Sequence, residues 1–188
     1  PGVCSSALGI RPGTDGLFVL ALVHELLKAN RIDLEFIVRY TNLPWLVISD
    51  DGAPDDGLFA RGPEGEPLCW DKTTDQAADA RLAGVTPAVA GEFTLADGRR
   101  AQPAFALMAR RYLDTAYAPE TAAARTGISA ATIRRLAAGV ADVAFGQEIV
   151  VEVPWTDWAG RRHERMIGRP VALHAMRGIS AHSNGFHT

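Results

Sequence analysis

The chain has 188 residues, 47% of them apolar and 22% charged, and a formal net charge of −3. That is the length of one domain or of parts of two, with apolar mass for a core and too little charge imbalance for disorder. The lack of a basic excess excludes a charged nucleic-acid-binding face, and the longest apolar run, 17–23, stops at His24-Glu25, far short of a membrane span.

Residues 3–10 are small and apolar and read as a short buried strand. Arg11-Pro-Gly-Thr-Asp15 is a turn, with Thr14 or Asp15 as the N-cap of a helix over 16–30. In that helix Leu17, Leu20, Ala21, Val23, Leu26 and Leu27 recur at helical spacing, and Lys28 complements the last turn. Asp33 caps a second, short helix that runs to Tyr40, and 45–49 reads as a strand. The loop 50–57 is Asp-Asp-Gly-Ala-Pro-Asp-Asp-Gly. Segments 58–61 and 67–70 flank Gly62-Pro-Glu-Gly65 as a hairpin, and 71–90 has only weak periodicity. Phe93-Thr-Leu95 followed by Asp97-Gly98 gives a strand and a turn.

Pro103 starts a helix through about Leu113, Pro119 and Glu120 start a short one, and Gly127 stops it. Ser129 caps the clearest helix of the chain, with Ile133, Leu136, Ala137 and Val140 on its inner face and Arg134-Arg135 outside. Residues 147–153 form a strand rich in β-branched side chains, 155–169 a polar connection, and 171–176 a strand that leads into Arg177. Strands that alternate with helices define an α/β class. No internal repeat or low-complexity segment interrupts the pattern.

Two segments carry chemistry, the Arg11 turn and Arg177-Gly-Ile-Ser-Ala-His-Ser-Asn-Gly185. Each sets a glycine turn beside a small hydroxyl and a polar side chain able to read a heterocycle edge. Strand, turn, then helix is a nucleotide-site geometry, because backbone N–H groups at the helix start face the ligand and glycine lets it approach. A carboxylate there accepts from the N1 and N2 hydrogens of guanine. The same residues also suit a capped helix and a polar surface turn with nothing bound.

Other clusters read more plainly. His174, His182 and His187 match no closed zinc spacing, and Asp50, Asp51, Asp55 and Asp56 lack the ligand order of a calcium loop. Cys4 and Cys69 form neither a disulfide framework nor a cluster; buried thiols are the simpler reading and a bridge the alternative. Trp155 and Trp158 offer either a contact surface or core packing with Asp157, Arg161 and Arg162 outside. There is no nucleophile elbow, phosphate loop or iron–sulfur cysteine set. The chain opens on Pro1 without a targeting leader and ends at Thr188 just after a polar glycine motif, so both ends are expected to be cuts in a longer polypeptide.

Taken in order, these pieces resemble the catalytic subunits of the molybdopterin oxidoreductases, the dimethyl sulfoxide reductase superfamily. They are Ile10-Arg-Pro-Gly-Thr-Asp-Gly16, Asp33-x-Glu-Phe-x-x-Arg-Tyr-Thr41, Pro44-Trp-Leu-Val47, Leu68-Cys-Trp-Asp71, Gly91-Glu-Phe-Thr-Leu95, Pro103-Ala-Phe105, Tyr117-Ala-Pro-Glu120, Thr126-Gly-Ile-Ser-Ala-Ala-Thr-Ile-Arg-Arg-Leu-Ala137 and the Arg177 stretch. The resemblance implies an α/β fold of Rossmann-like cofactor-binding layers, incomplete in this chain. Residues 1–100 would be the end of a guanine-dinucleotide-binding domain and 101–188 part of a second α/β cofactor-binding domain, both truncated.

The resemblance further implies that Gly13, Thr14 and Asp15 hold the guanine end of a molybdopterin guanine dinucleotide. Arg177, Gly178, Ser180, His182 and Asn184 would line a pterin. No catalytic or metal-ligating residue is assigned in this chain. The implied cofactors are bis-molybdopterin guanine dinucleotide with molybdenum and, in the full-length protein, a four-iron four-sulfur cluster that this segment does not bind. The implied partners are a small-molecule substrate, a membrane anchor subunit, and an iron–sulfur electron-transfer subunit; nucleic acid is not among them. The compartment stays open between the cytoplasmic and periplasmic faces of a bacterial inner membrane.

Several features depart from the family pattern. Cluster cysteines are absent, Cys4 does not stand where a molybdenum ligand belongs, 155–169 is an unusual insertion, and the residues before Gly9 fit poorly. The wording of Pro44-Trp-Leu-Val47 and of the Arg177 stretch is closest to the sulfur-compound branch: thiosulfate, polysulfide or tetrathionate reductases and sulfite dehydrogenases. A formate dehydrogenase-type subunit is the alternative within the class. A stand-alone nucleotide-binding or interaction module without catalysis is the alternative outside it.

Overall fold

Three helix boundaries in this protein fall where the sequence supplies a side-chain acceptor or a left-handed glycine. The computed structural model describes residues 7–157 and 160–173. In chain order these form α1 (Asp15–Lys28), α2 (Leu34–Tyr40), β1 (Leu46–Ile48), β2 (Leu68–Asp71), β3 (Gln76–Asp79), β4 (Phe93–Thr94), β5 (Arg100–Pro103), α3 (Ala104–Tyr112), α4 (Pro119–Thr126), α5 (Ala130–Gly146), β6 (Ile149–Val151), β7 (Trp155–Thr156), β8 (Arg162–His163) and β9 (Met166–Gly168). Asp33 caps α2 by accepting from the Phe36 N–H, and Ser129 caps α5 by accepting from the Thr132 N–H. Gly127, at φ 81°, closes α4 in the left-handed region that its missing Cβ permits. No helix among the described residues is long and apolar enough to cross a membrane.

The mixture of helices and strands is α/β, as the alternation implies. Every strand ladder among the described residues is antiparallel. Two compact units share them. One takes the described residues up to Arg31 and from Tyr112 onward, and the other spans Ile32–Arg111. This partition follows packing within the chain.

In the first unit α1, α4 and α5 enclose a small core of Ala21, Ala122, Ile128 and Ile133, flanked by Ile10, Leu17, Phe18 and Leu22. Ala21 and Ala122 have no exposed surface, and their short side chains let the helices approach closely. Burial of the Ile133 side chain contributes on the order of 2 kcal/mol. His24 is also buried, and its Nδ1 lies 2.8 Å from the Tyr112 carbonyl oxygen. Arg134 on α5 reaches Glu120 of α4 at 2.6 Å and Glu25 of α1 at 3.6 Å. Its guanidinium holds the Glu120 carboxyl below the usual carboxylate range. Two exposed ribbons follow, β6 paired with β9 and β7 paired with β8.

In the second unit β1, β5 and β4 form one sheet in that order, with Ile48 opposite Ala101 and Phe93 opposite Ala101 on the other side. All three residues of β1 are buried. The core is Leu46, Ile48, Ala60, Leu95 and Ala101, with Leu68, Trp70, Ala77 and Phe93 packed against it. Trp70 and Phe93 stack at 4.5 Å, nearly parallel. The acidic loop is bound by arginines: Asp55 pairs with Arg99, and Asp50 lies 3.4 Å from Arg100. Asp56 turns back to accept from the Asp50 N–H at 2.9 Å.

Several sequence expectations need correction. Residues 7–10 are not in a strand, so the turn at Arg11 is entered from irregular backbone. The stretch 71–90, of weak periodicity in the sequence, contains β3, which forms a hairpin with β2 with Trp70 opposite Ala77. The stretch 155–169 is not merely a polar connection, since it builds β7, β8 and β9. Trp155 is not packed in a core: it stacks on the His163 ring at 4.7 Å and donates to the Arg165 carbonyl at 3.0 Å. The strand expected over 147–153 shortens to β6. Cys69 is a buried free thiol; Cys4, Trp158 and the three histidines from His174 lie outside the described residues.

Candidate functional site

The Arg11 turn is built by its own sequence. Pro12 presets the second position, Gly13 takes φ 77° at the third, and the Thr14 N–H closes on the Arg11 carbonyl at 3.3 Å. A Cβ on Gly13 would meet nothing within 4 Å, so glycine serves the backbone angle and the space above it is open. Thr14 occupies the N-cap position of α1, and its carbonyl accepts the first helical bond from Phe18 at 3.0 Å. Its hydroxyl makes no cap bond to the helix but donates to the Arg11 carbonyl at 2.7 Å. Asp15 is the first helical residue, half-buried, where a carboxylate is favoured by the positive end of the helix.

The structure therefore brings Gly13, Thr14 and Asp15 together within one turn and at one helix start. Arg177, Gly178, Ser180, His182 and Asn184 lie outside the described residues. Residues 170–173, which precede that motif in the chain, line a groove of about 380 Å³ with Arg135, Leu136, Gly139, Val140 and Val143 of α5. Two further grooves lie in the second unit. One of about 370 Å³ is walled by Trp70, Gln76, Ala77, Thr94 and Ala96; one of about 460 Å³ has Leu34, Val38, Arg39 and Lys72 among its lining. None of the three is lined by the Arg11 turn. Among the described residues no cluster of histidine, cysteine and carboxylate side chains is arranged to hold a metal ion.

Arg11 itself ties the turn to the end of α4. Its Nη1 donates to the Ala124 carbonyl at 2.9 Å, and its backbone N–H donates to the Thr126 carbonyl at 3.0 Å. No local pattern signals a partner 113 residues away.

Comparison with known proteins adds a class to this geometry. No family model matches the chain. It is similar to a sulfite dehydrogenase subunit of Allochromatium vinosum, with 43% identity over 188 aligned residues, 95% of this chain and 19% of that protein. A shorter stretch of 65 residues, 35% of this chain, is 38% identical to the nitrate-inducible formate dehydrogenase major subunit of Escherichia coli and covers 6% of it. The chain thus spans about a fifth of the longer-matched relative. Both relatives are dehydrogenases by name, the oxidoreductase class that the sequence resemblance implies.

Proposed function

We propose that this chain is a cofactor-binding segment of a molybdopterin oxidoreductase catalytic subunit that acts on a small sulfur compound. The observation that carries the reading is the 43% identity to a sulfite dehydrogenase subunit, sustained over 95% of the chain. The formate dehydrogenase likeness covers 35% of it, so sulfite is the favoured substrate over formate.

In this reading Gly13, Thr14 and Asp15 hold the guanine end of a molybdopterin guanine dinucleotide. The donor set suits that group. The Asp15 side chain is a carboxylate at the helix start, the acceptor type that the N1 and N2 hydrogens of guanine call for, and a Cβ added at Gly13 would meet nothing within 4 Å, so the backbone there is open to close approach. Arg177, Gly178, Ser180, His182 and Asn184 line a pterin by family resemblance. When bound, the cofactor supplies the two-electron redox centre, and this chain's residues bind and orient it. Net oxidation of sulfite takes an oxygen from water, releases two protons to solvent and passes two electrons to an iron–sulfur partner subunit held near a membrane anchor subunit. The segment by itself has no redox turnover.

The test is Asp15→Asn in the complete subunit. The amide presents a donor where an acceptor is needed, and loss of a charge-assisted pair costs about 1.5–3 kcal/mol. Guanine nucleotide released per polypeptide should fall by roughly tenfold or more. Sulfite-dependent reduction of an artificial acceptor should fall with it, while formate supports no turnover in either protein. Unchanged guanine content in the variant would remove the assignment.

A further inference from the structure

The candidate turn is not held by its own helix alone. An α-helix leaves its last four carbonyls without intrahelical partners, and in α4 these belong to residues 123–126. The Gly127 N–H takes the Ala123 carbonyl at 3.0 Å. Arg11 takes the other three: its Nη1 donates to Ala124 at 2.9 Å and to Arg125 at 3.5 Å, and its backbone N–H donates to Thr126 at 3.0 Å. A cation at a helix C-terminus is also favoured by the helix dipole. On its other side the Arg11 carbonyl accepts from both the Thr14 N–H and the Thr14 hydroxyl. One residue thus joins the end of α4 to the start of α1.

We infer that Arg11 is a positioning residue: its guanidinium clamp on the C-terminal carbonyls of α4 sets the turn that places Thr14 and Asp15 for the guanine edge. The inference rests on the reading that this turn holds guanine. It assigns Arg11 no contact with the nucleotide. Without the side chain, the Thr126 bond is what remains of the hydrogen bonds from Arg11 to α4, and the turn is held less firmly against that helix end.

The experiment uses the complete subunit carrying Arg11→Ala, Arg11→Lys or Asp15→Asn. It reads amide hydrogen exchange at residues 13–18 against α5, together with guanine nucleotide released per polypeptide. In Arg11→Ala, exchange at the turn should rise roughly tenfold, as expected for loss of a charge-assisted bond, with α5 unchanged and guanine content lowered. Arg11→Lys keeps one charged donor within reach of the carbonyls and should recover part of both. Wild-type exchange at the turn in Arg11→Ala, equal acceleration throughout α5, or a lysine variant no better than alanine would each overturn the clamp. Depleted guanine in Asp15→Asn with full guanine in Arg11→Ala would overturn the positioning role alone. Full guanine in Asp15→Asn would overturn the guanine reading, whatever Arg11 does.

Discussion

Asp71 shows how one carboxylate fixes a stretch of backbone. Its Oδ1 accepts from the Thr86 N–H at 3.0 Å and the Thr73 N–H at 3.1 Å, and its Oδ2 accepts from the Thr74 hydroxyl at 2.9 Å. The Thr86 N–H foremost, then that of Thr73, holds the carboxyl below its ordinary value of 3.8. A depressed carboxylate stabilises the folded state fully above the ordinary value, and that stability is lost as pH falls through the lower folded value. Asp71→Asn removes the charge and leaves one acceptor for three donors. The variant should be less stable than wild type at neutral pH, and the gap in denaturant midpoint should narrow only below the ordinary 3.8. A gap that stays constant into acid would show that the carboxylate charge is not what holds this turn.

At the scale of elements, Gly127 carries a conformational demand without a spatial one. Its φ is 81°, while an added Cβ would meet only the Arg11 side chain at an ordinary 3.8 Å. Gly127→Ala should therefore cost about 1 kcal/mol, as left-handed backbone without a clash does. The measurement is a lowered urea midpoint with an unchanged slope. Gly127, Ser129, Asp33 and Pro119 were all legible in the sequence as helix ends, because each acts on backbone within a turn of itself. The β2–β3 hairpin was not legible: its turn ends in Asp75 at φ 55° followed by Gln76, without the Asn-Gly or Asp-Gly signature. The β7–β8 ribbon has two residues in each strand, too few for an alternation to show. The same division holds at the candidate site. Pro12, Gly13 and Thr14 announce a turn, but its clamp joins segments 113 residues apart.

Over the whole molecule, the apolar surface is unevenly covered. On the β6–β9 ribbon Ile149 is 48% exposed and Ile167 52%, and beyond it Leu173 is 82% exposed. A lone two-stranded ribbon is marginal in water and gains stability by packing a hydrophobic face. The isolated 188-residue chain should accordingly bind an apolar fluorescent dye. The double variant Val150→Lys/Ile167→Lys, which charges a cross-strand pair on one face of the ribbon, should lower that signal without losing helix content. A wild-type chain that binds no dye and unfolds in one sharp transition would contradict this.

The unit built on α1 is discontinuous along the chain, and synthesis imposes an order on it. Residues Ile32–Arg111 of the other unit are contiguous and complete before α4 exists. Roughly 100 residues separate the start of α1 from the start of α4, which at about 5–20 residues per second is a wait on the order of 5–20 seconds. During that interval Leu17, Phe18, Ala21 and Leu22 have neither Ala122 nor Ile133 to pack against. A nascent α1 is thus a waiting partner, exposed to whatever binds apolar helices at the ribosome, and Arg11 finds its carbonyls only when the second half of its unit arrives.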